Sequence, residues 1–198
     1  MRASDPYQPL TPISLYGEHM HSTENASPLA NPQVLVLMGV SGCGKTTVGK
    51  RLAERLGWRF EEGDALHPQA NVEKMASGHP LTDHDRWPWL EKVAAWIEER
   101  LDTGEHGIIT CSALKRAYRD LLDRRGHGIV FVYLAGSERM IATRIAGRHG
   151  HFMPVSLLAS QFADLEEPGP DEPAIRVDIG PAPEVIVEHI LDGLHLDG

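Results

Sequence analysis

Cysteine is scarce in this chain: only Cys43 and Cys111 occur among 198 residues, and they form no spaced pair. That argues against a disulfide framework or a thiolate zinc site, and a reducing cytoplasm is the expected setting. Positive charge is also in deficit. Nineteen Lys and Arg stand against 28 Asp and Glu, a formal net charge of -9 at pH 7, so the broad basic surface that non-specific nucleic-acid binding needs is missing. An anionic small molecule must therefore be met by a local cluster of cations. No apolar run approaches the about 20 residues of a membrane span, and no basic stretch leads into an apolar core near the N-terminus, so neither a membrane partner nor export is expected.

Residues 1–32 have no sustained apolar period, and Pro6, Pro9, Pro12, Pro28 and Pro32 interrupt them; they read as a mobile extension to one domain spanning residues 33–198. That domain opens on the apolar run Val34 to Met38, which fits a parallel strand buried on both faces. Gly39-Val40-Ser41-Gly42-Cys43-Gly44-Lys45-Thr46 follows, then Thr47, and matches the phosphate-binding loop pattern. Side chains at its glycines would block a phosphate from the backbone N–H groups. Lys45 supplies a point charge for the outer phosphates of ATP, and the Thr46 hydroxyl can ligate Mg²⁺. Val48, Leu52 and Leu56 recur at helical spacing and Gly57 ends the helix, whose N-terminus points at the phosphates.

Two hallmarks of other nucleotide enzymes are missing. The strand Gly107 to Cys111 does not end in the Asp of a Walker B motif, and no Asn-Lys-x-Asp guanine-reading motif occurs, which counts against GTPase switches and large motor ATPases. Glu62 and Asp64 stand at the carboxyl end of a short strand from Trp58, where open parallel sheets bind ligands. Pro88 suits the first position of a long helix ending at Gly104, which would leave Arg86 just before its start. Lys115 and Arg119, at helical spacing, could share a face toward the site. Arg144 and Arg148, one turn apart, lead into Gly147 to Pro154, a basic, Gly-hinged segment that reads as a lid over about 147–156. A strand with alternating Ile175, Val177 and Ile179 and a helix from Pro183 to Leu194 complete a three-layer α/β/α fold with a parallel sheet of five strands.

Beyond the phosphate loop, the segments Glu62 to Pro68, Asn71 to Met75, Pro80 to Arg86, Cys111 to Lys115, Tyr118 to Leu121 and Gly150-His151-Phe152 together resemble the gluconokinase family. The resemblance runs from about Gln33 to the C-terminus. It implies the nucleoside-monophosphate-kinase type of fold, ATP as donor, D-gluconate as acceptor and a homodimer. Together with the positions and spacings above, this leads to the expectation of Lys45, Asp64, Arg144 and Arg148 in catalysis, with Asp64, Arg86, Lys115, Arg119 and His151 around the acceptor and Glu62 on the hydration shell of Mg²⁺. One departure is Glu62, where the family commonly has Asp. Taken without the resemblance, the residues leave open a kinase for another small acid, such as shikimate, or for a nucleotide, and a non-catalytic ATP-binding module.

Overall fold

The computed structural model describes residues 29, 31–147 and 156–196. The lid segment, apart from its two end residues, and nearly all of the N-terminal extension lie outside the described residues. Five parallel strands form one sheet: β1 (Val34–Met38), β2 (Arg59–Glu61), β3 (Gly107–Thr110), β4 (Ile129–Ala135) and β5 (Ala174–Asp178), in the spatial order β2-β3-β1-β4-β5. The helices are α1 (Lys45–Leu56), α2 (Gln69–Ala76), α3 (Asp83–Thr103), α4 (Arg116–Leu122), α5 (Glu138–Ala146), α6 (Ser156–Asp164) and α7 (Pro183–Leu194), with a 3-10 turn at Gly63–Leu66. Among the described residues no helix is long and apolar enough to cross a membrane.

β1 is central because nothing in it needs water. Its five side chains are wholly buried, and Val34 lies opposite Gly107 on β3 and Ile129 on β4. The alternation of a strand sorts the core into two layers. Leu35 and Leu37 pack with Val130 and Val132 of β4 against Leu52 of α1 and Ile186 and Ile190 of α7. Val34, Val36 and Met38 pack with Phe131 and Tyr133 against Trp89, Leu90, Val93 and Ile97 of α3 and Tyr118 of α4. Burying both faces leaves the carboxyl ends of the strands as the place where the connecting loops gather.

The start of α3 differs from the sequence expectation. Thr82, not a residue beside Pro88, is the N-cap: its hydroxyl accepts from Asp85 N at 3.3 Å, and the Asp85 carboxylate accepts from Thr82 N at 2.7 Å. This reciprocal cap satisfies two of the N–H groups that a helix start leaves unpaired, so the helix begins five residues before Pro88. Pro88 then sits within the helix, where it lacks the N–H that would bond back to the preceding turn. Arg86 is consequently carried on the first turns of α3, not on the loop before it.

Candidate active site

The loop between β1 and α1 wraps a small cavity of about 80 Å³ lined by Ser41, Gly42, Gly44, Lys45, Thr46, Thr47 and Asp64. Gly42 is obligatory in this loop: its φ is +82°, and a Cβ there would meet Ile145 Cγ1 of α5 at 2.6 Å. Gly44, at φ 107°, caps α1 with no side-chain hydrogen bond, so the positive helix end faces the cavity. Val40 and Cys43 are buried in the core below; only their backbone can serve a ligand. Lys45 is buried, and its Nζ donates to Gly39 O at 3.0 Å and Val40 O at 3.2 Å.

Glu62 and Asp64 follow β2 and are held against the end of β3. Gly63 lies so close to β3 that a Cβ would fall 1.9 Å from Thr110 O, and its N–H donates to Thr110 Oγ1 at 3.1 Å. The Thr110 hydroxyl in turn donates to the Glu62 carboxylate. Glu62 is therefore tied to β3 and lines neither cavity, whereas Asp64, exposed at the first turn beyond the strand, lines both.

The second cavity, about 340 Å³, adjoins the first. Ser41, Lys45 and Asp64 line both. Its polar wall includes His67, Arg86, Trp89 and Ser112, and α2 with its following loop contributes Val72, Met75 and Leu81. Leu157, Ser160 and Gln161 close it from α6. Gln161 Oε1 accepts from Ser41 N at 2.6 Å, linking α6 to the phosphate loop.

Arg86 is 8% exposed. Its Nη1 donates to Tyr118 Oη at 3.1 Å and to Asp164 Oδ2 at 3.0 Å. The Nε and Nη2 hydrogens have no hydrogen-bond partner among the described residues, which leaves one edge of the guanidinium for a bidentate carboxylate. Tyr118 passes its own hydrogen to Asp83, and Lys115 Nζ donates to Asp83 Oδ1 at 2.8 Å. The hydrogen bond from Lys115, joined by that from Tyr118, holds Asp83 below the usual carboxylate range. Lys115 thus belongs to the network behind Arg86 without itself lining the cavity.

Arg119 does not join the site. Lys115 has extended backbone (φ -98°, ψ 150°) as the N-cap of α4, so the two residues do not share a helical face. Arg119, 1% exposed, sends Nε and Nη2 to Glu172 at 2.5 and 3.0 Å. Its Nη1 donates to the carbonyls of Ala113, Leu114 and Glu166 at 3.1, 3.3 and 2.9 Å. It clamps the loop after α6 onto the turn after β3, where Ala113 holds a left-handed φ of 44°. Arg144 is also placed away from the cavities, its Nη2 donating to Ile179 O at 2.5 Å. Arg148 and His151 lie outside the described residues. Sequence reasoning passed over His67, Trp89, Ser112 and Gln161; for His67 and Ser112 the cue was available, since each directly follows a strand end or its turn.

A family model described as an AAA domain matches residues 34–168. The gluconokinase of Gluconobacter oxydans (strain 621H) is 54% identical over 160 residues, which cover 81% of this chain and 90% of that protein. Among solved structures, a gluconokinase from Sinorhizobium meliloti 1021 is similar with a TM-score of 0.75 at 47% identity, covering 84% of this chain and 93% of that one. A sugar kinase from Janibacter sp. HTCC2649 gives a TM-score of 0.78 at 46% identity, over 83% of this chain and 95% of that one. With a phosphate loop that opens into an acceptor-sized cavity beside Asp64, and relatives of this closeness along nearly their whole length, the chain belongs to the gluconokinase family of P-loop kinases.

Proposed function

We propose that the chain transfers the γ-phosphoryl group of ATP to D-gluconate, giving 6-phospho-D-gluconate and ADP. The observation that carries this is the pair of adjoining cavities with Ser41, Lys45 and Asp64 common to both. A phosphate held by the loop and a hydroxyl held in the larger cavity meet beside one carboxylate. Asp64 takes the hydroxyl proton or orients the hydroxyl, the oxygen forms the new bond to phosphorus, and the bond to the β–γ bridging oxygen breaks as ADP leaves.

Lys45 exchanges its hydrogen bonds to Gly39 and Val40 for the outer phosphates and neutralises charge there. The open edge of Arg86 takes the acceptor carboxylate, which sets the chain's far end and aims its terminal hydroxyl at Asp64. Mg²⁺ suits the loop: the Thr46 hydroxyl borders the phosphate cavity, whereas Glu62, bonded to Thr110, does not, and this cation favours few protein oxygens together with water and phosphate. When bound, it neutralises charge on the phosphates. Arg144 and Arg148 are assigned to the same task from the lid side, a role that rests on their spacing of one helical turn before a Gly-flanked segment, while a homodimer rests on the family resemblance.

The test is an acceptor panel. Purified protein with ATP and Mg²⁺ is offered gluconate, other aldonates, shikimate and nucleoside monophosphates, and ADP release and the phosphorus NMR spectrum of the product are followed. Gluconate is expected to give the highest kcat/KM and a phosphomonoester at C6. Preference for shikimate or a nucleotide would overturn the acceptor, and ATP binding without transfer to any acid would leave only a binding module.

A further inference from the structure

His67 lines the acceptor cavity, three residues after Asp64, and the mechanism above gives it no task. Its ring is held from two sides. One face stacks on Trp89 at 4.1 Å between centroids and 17° between planes. Trp89 is itself fixed, 1% exposed with Nε1–H donating to Gly63 O at 2.7 Å. On the other side stands Asn71, also buried, one turn further along.

The orientation of Asn71 decides which nitrogen of His67 carries hydrogen. Its Nδ2 lies 2.7 Å from the backbone carbonyl of Asp85. A carbonyl only accepts, so the amide NH₂ group must face it. The same Nδ2 lies 3.4 Å from His67 Nδ1. A donor there requires Nδ1 to accept, which puts the hydrogen of the neutral ring on Nε2. Burial, which outweighs the opposing pull of Asp64 and is helped by Arg86 and Lys92, lowers the ring's pKa to about 4. Nε2 has no hydrogen-bond partner among the described residues.

We propose that His67, as a neutral Nε2–H donor fixed by Asn71 and Trp89, hydrogen-bonds one hydroxyl of the acceptor and so selects polyhydroxy acids over their deoxy analogues. The proposal rests on the acceptor reading given above and adds to it the residue that reads the sugar chain. The division of labour follows from charge. Arg86, a cation, suits the carboxylate; an uncharged imidazole does not compete for it and suits a hydroxyl, which can accept from Nε2–H and still donate elsewhere. A fixed donor also rejects a ligand lacking the matching oxygen, because the N–H is then left unpaired in a partly dry cavity.

The test combines variants of His67 with gluconates that each lack one hydroxyl. In the wild type, removal of one particular hydroxyl is expected to lower kcat/KM about tenfold. His67→Phe, which keeps the stack but has no donor, should lose about tenfold with gluconate, keep its ATP KM within about twofold and show no further loss with that deoxy compound. His67→Gln, whose amide can donate from near the position of Nε2, should recover part of the loss. In the wild-type protein, nitrogen-15 NMR should show hydrogen on Nε2 of His67 and a shift of that signal when gluconate binds. Identical deoxy penalties in wild type and His67→Phe, or hydrogen found on Nδ1, would overturn the proposal while leaving the acceptor intact. A wild type that phosphorylates no aldonate would remove the acceptor reading and the proposal together.

Discussion

Replacing Arg119 by Leu should cost stability and spare the substrate, although the sequence placed this residue beside the acceptor. Arg119 and Glu172 have side chains 1% and 5% exposed, so the variant would leave a buried carboxylate with only Gly169 N at 2.8 Å and the half-exposed Arg116 at 3.9 Å. It would also remove the Arg119 donor from the carbonyls of Ala113 and Glu166, while the Leu114 carbonyl keeps its bond from Glu166 N at 2.8 Å. Removing one partner of a buried pair costs about 3–5 kcal/mol. For a chain of this size each kcal/mol lowers Tm by about 2–4 °C, so a fall of roughly 6–20 °C is expected. The pair also has a pH signature. Burial pushes Glu172 up, but the hydrogen bonds from Arg119 and from Gly169 N outweigh it and hold the carboxylate below its ordinary range. Its folded pKa is thus depressed, so the contribution is present above the unfolded pKa of about 4.3 and is lost as pH falls from there through the folded value. Thermal melts at pH 7 and across the acid range, with steady-state kinetics below the transition, make the assay. Glu172→Gln should flatten part of the acid slope. An Arg119→Leu protein with the wild-type Tm and a gluconate KM raised tenfold or more would refute the reasoning and restore Arg119 to the acceptor site.

Two further outcomes concern the cavities. Lys45→Ala should keep its fold and lose at least about a hundredfold in kcat, since it removes a charge from the transferring phosphoryl group; near-normal turnover would exclude Lys45 from the transfer. Arg86→Ala should raise the gluconate KM far more than the ATP KM, measured by varying each substrate with the other saturating. Equal effects on both would make Arg86 a structural strut between α3, Tyr118 and Asp164.

Local chemistry explains what the sequence made legible. An apolar run, a glycine pattern and a helical stripe fixed β1, the phosphate loop and α1 to within a residue or two, because each is dictated by neighbours in the chain. The start of α3 was misplaced by reading Pro88 as a first helical residue and overlooking that Asp85 can close a cap on Thr82. Arg119 was misplaced by assuming that Lys115 lay on the same helix. The remaining errors of omission are long-range. The pairs Ser41 with Gln161, Gly63 with Trp89 and Arg86 with Asp164 join residues far apart in the chain, and no local spacing announces them. Asp64 could be placed at a strand's carboxyl end from sequence, but its position between two cavities is a property of the folded sheet.

In the proposed reaction Asp64 serves the hydroxyl where the donor and acceptor cavities meet. The most direct measurement is single-turnover phosphoryl transfer to gluconate by wild type and Asp64→Asn, with ATP and gluconate affinities measured separately by calorimetry. The account predicts a transfer rate lower by about 10²–10⁴, the usual range for loss of a general base, in a folded protein that binds both substrates within a few-fold of wild type. An unchanged transfer rate, or a defect confined to gluconate affinity, would contradict it.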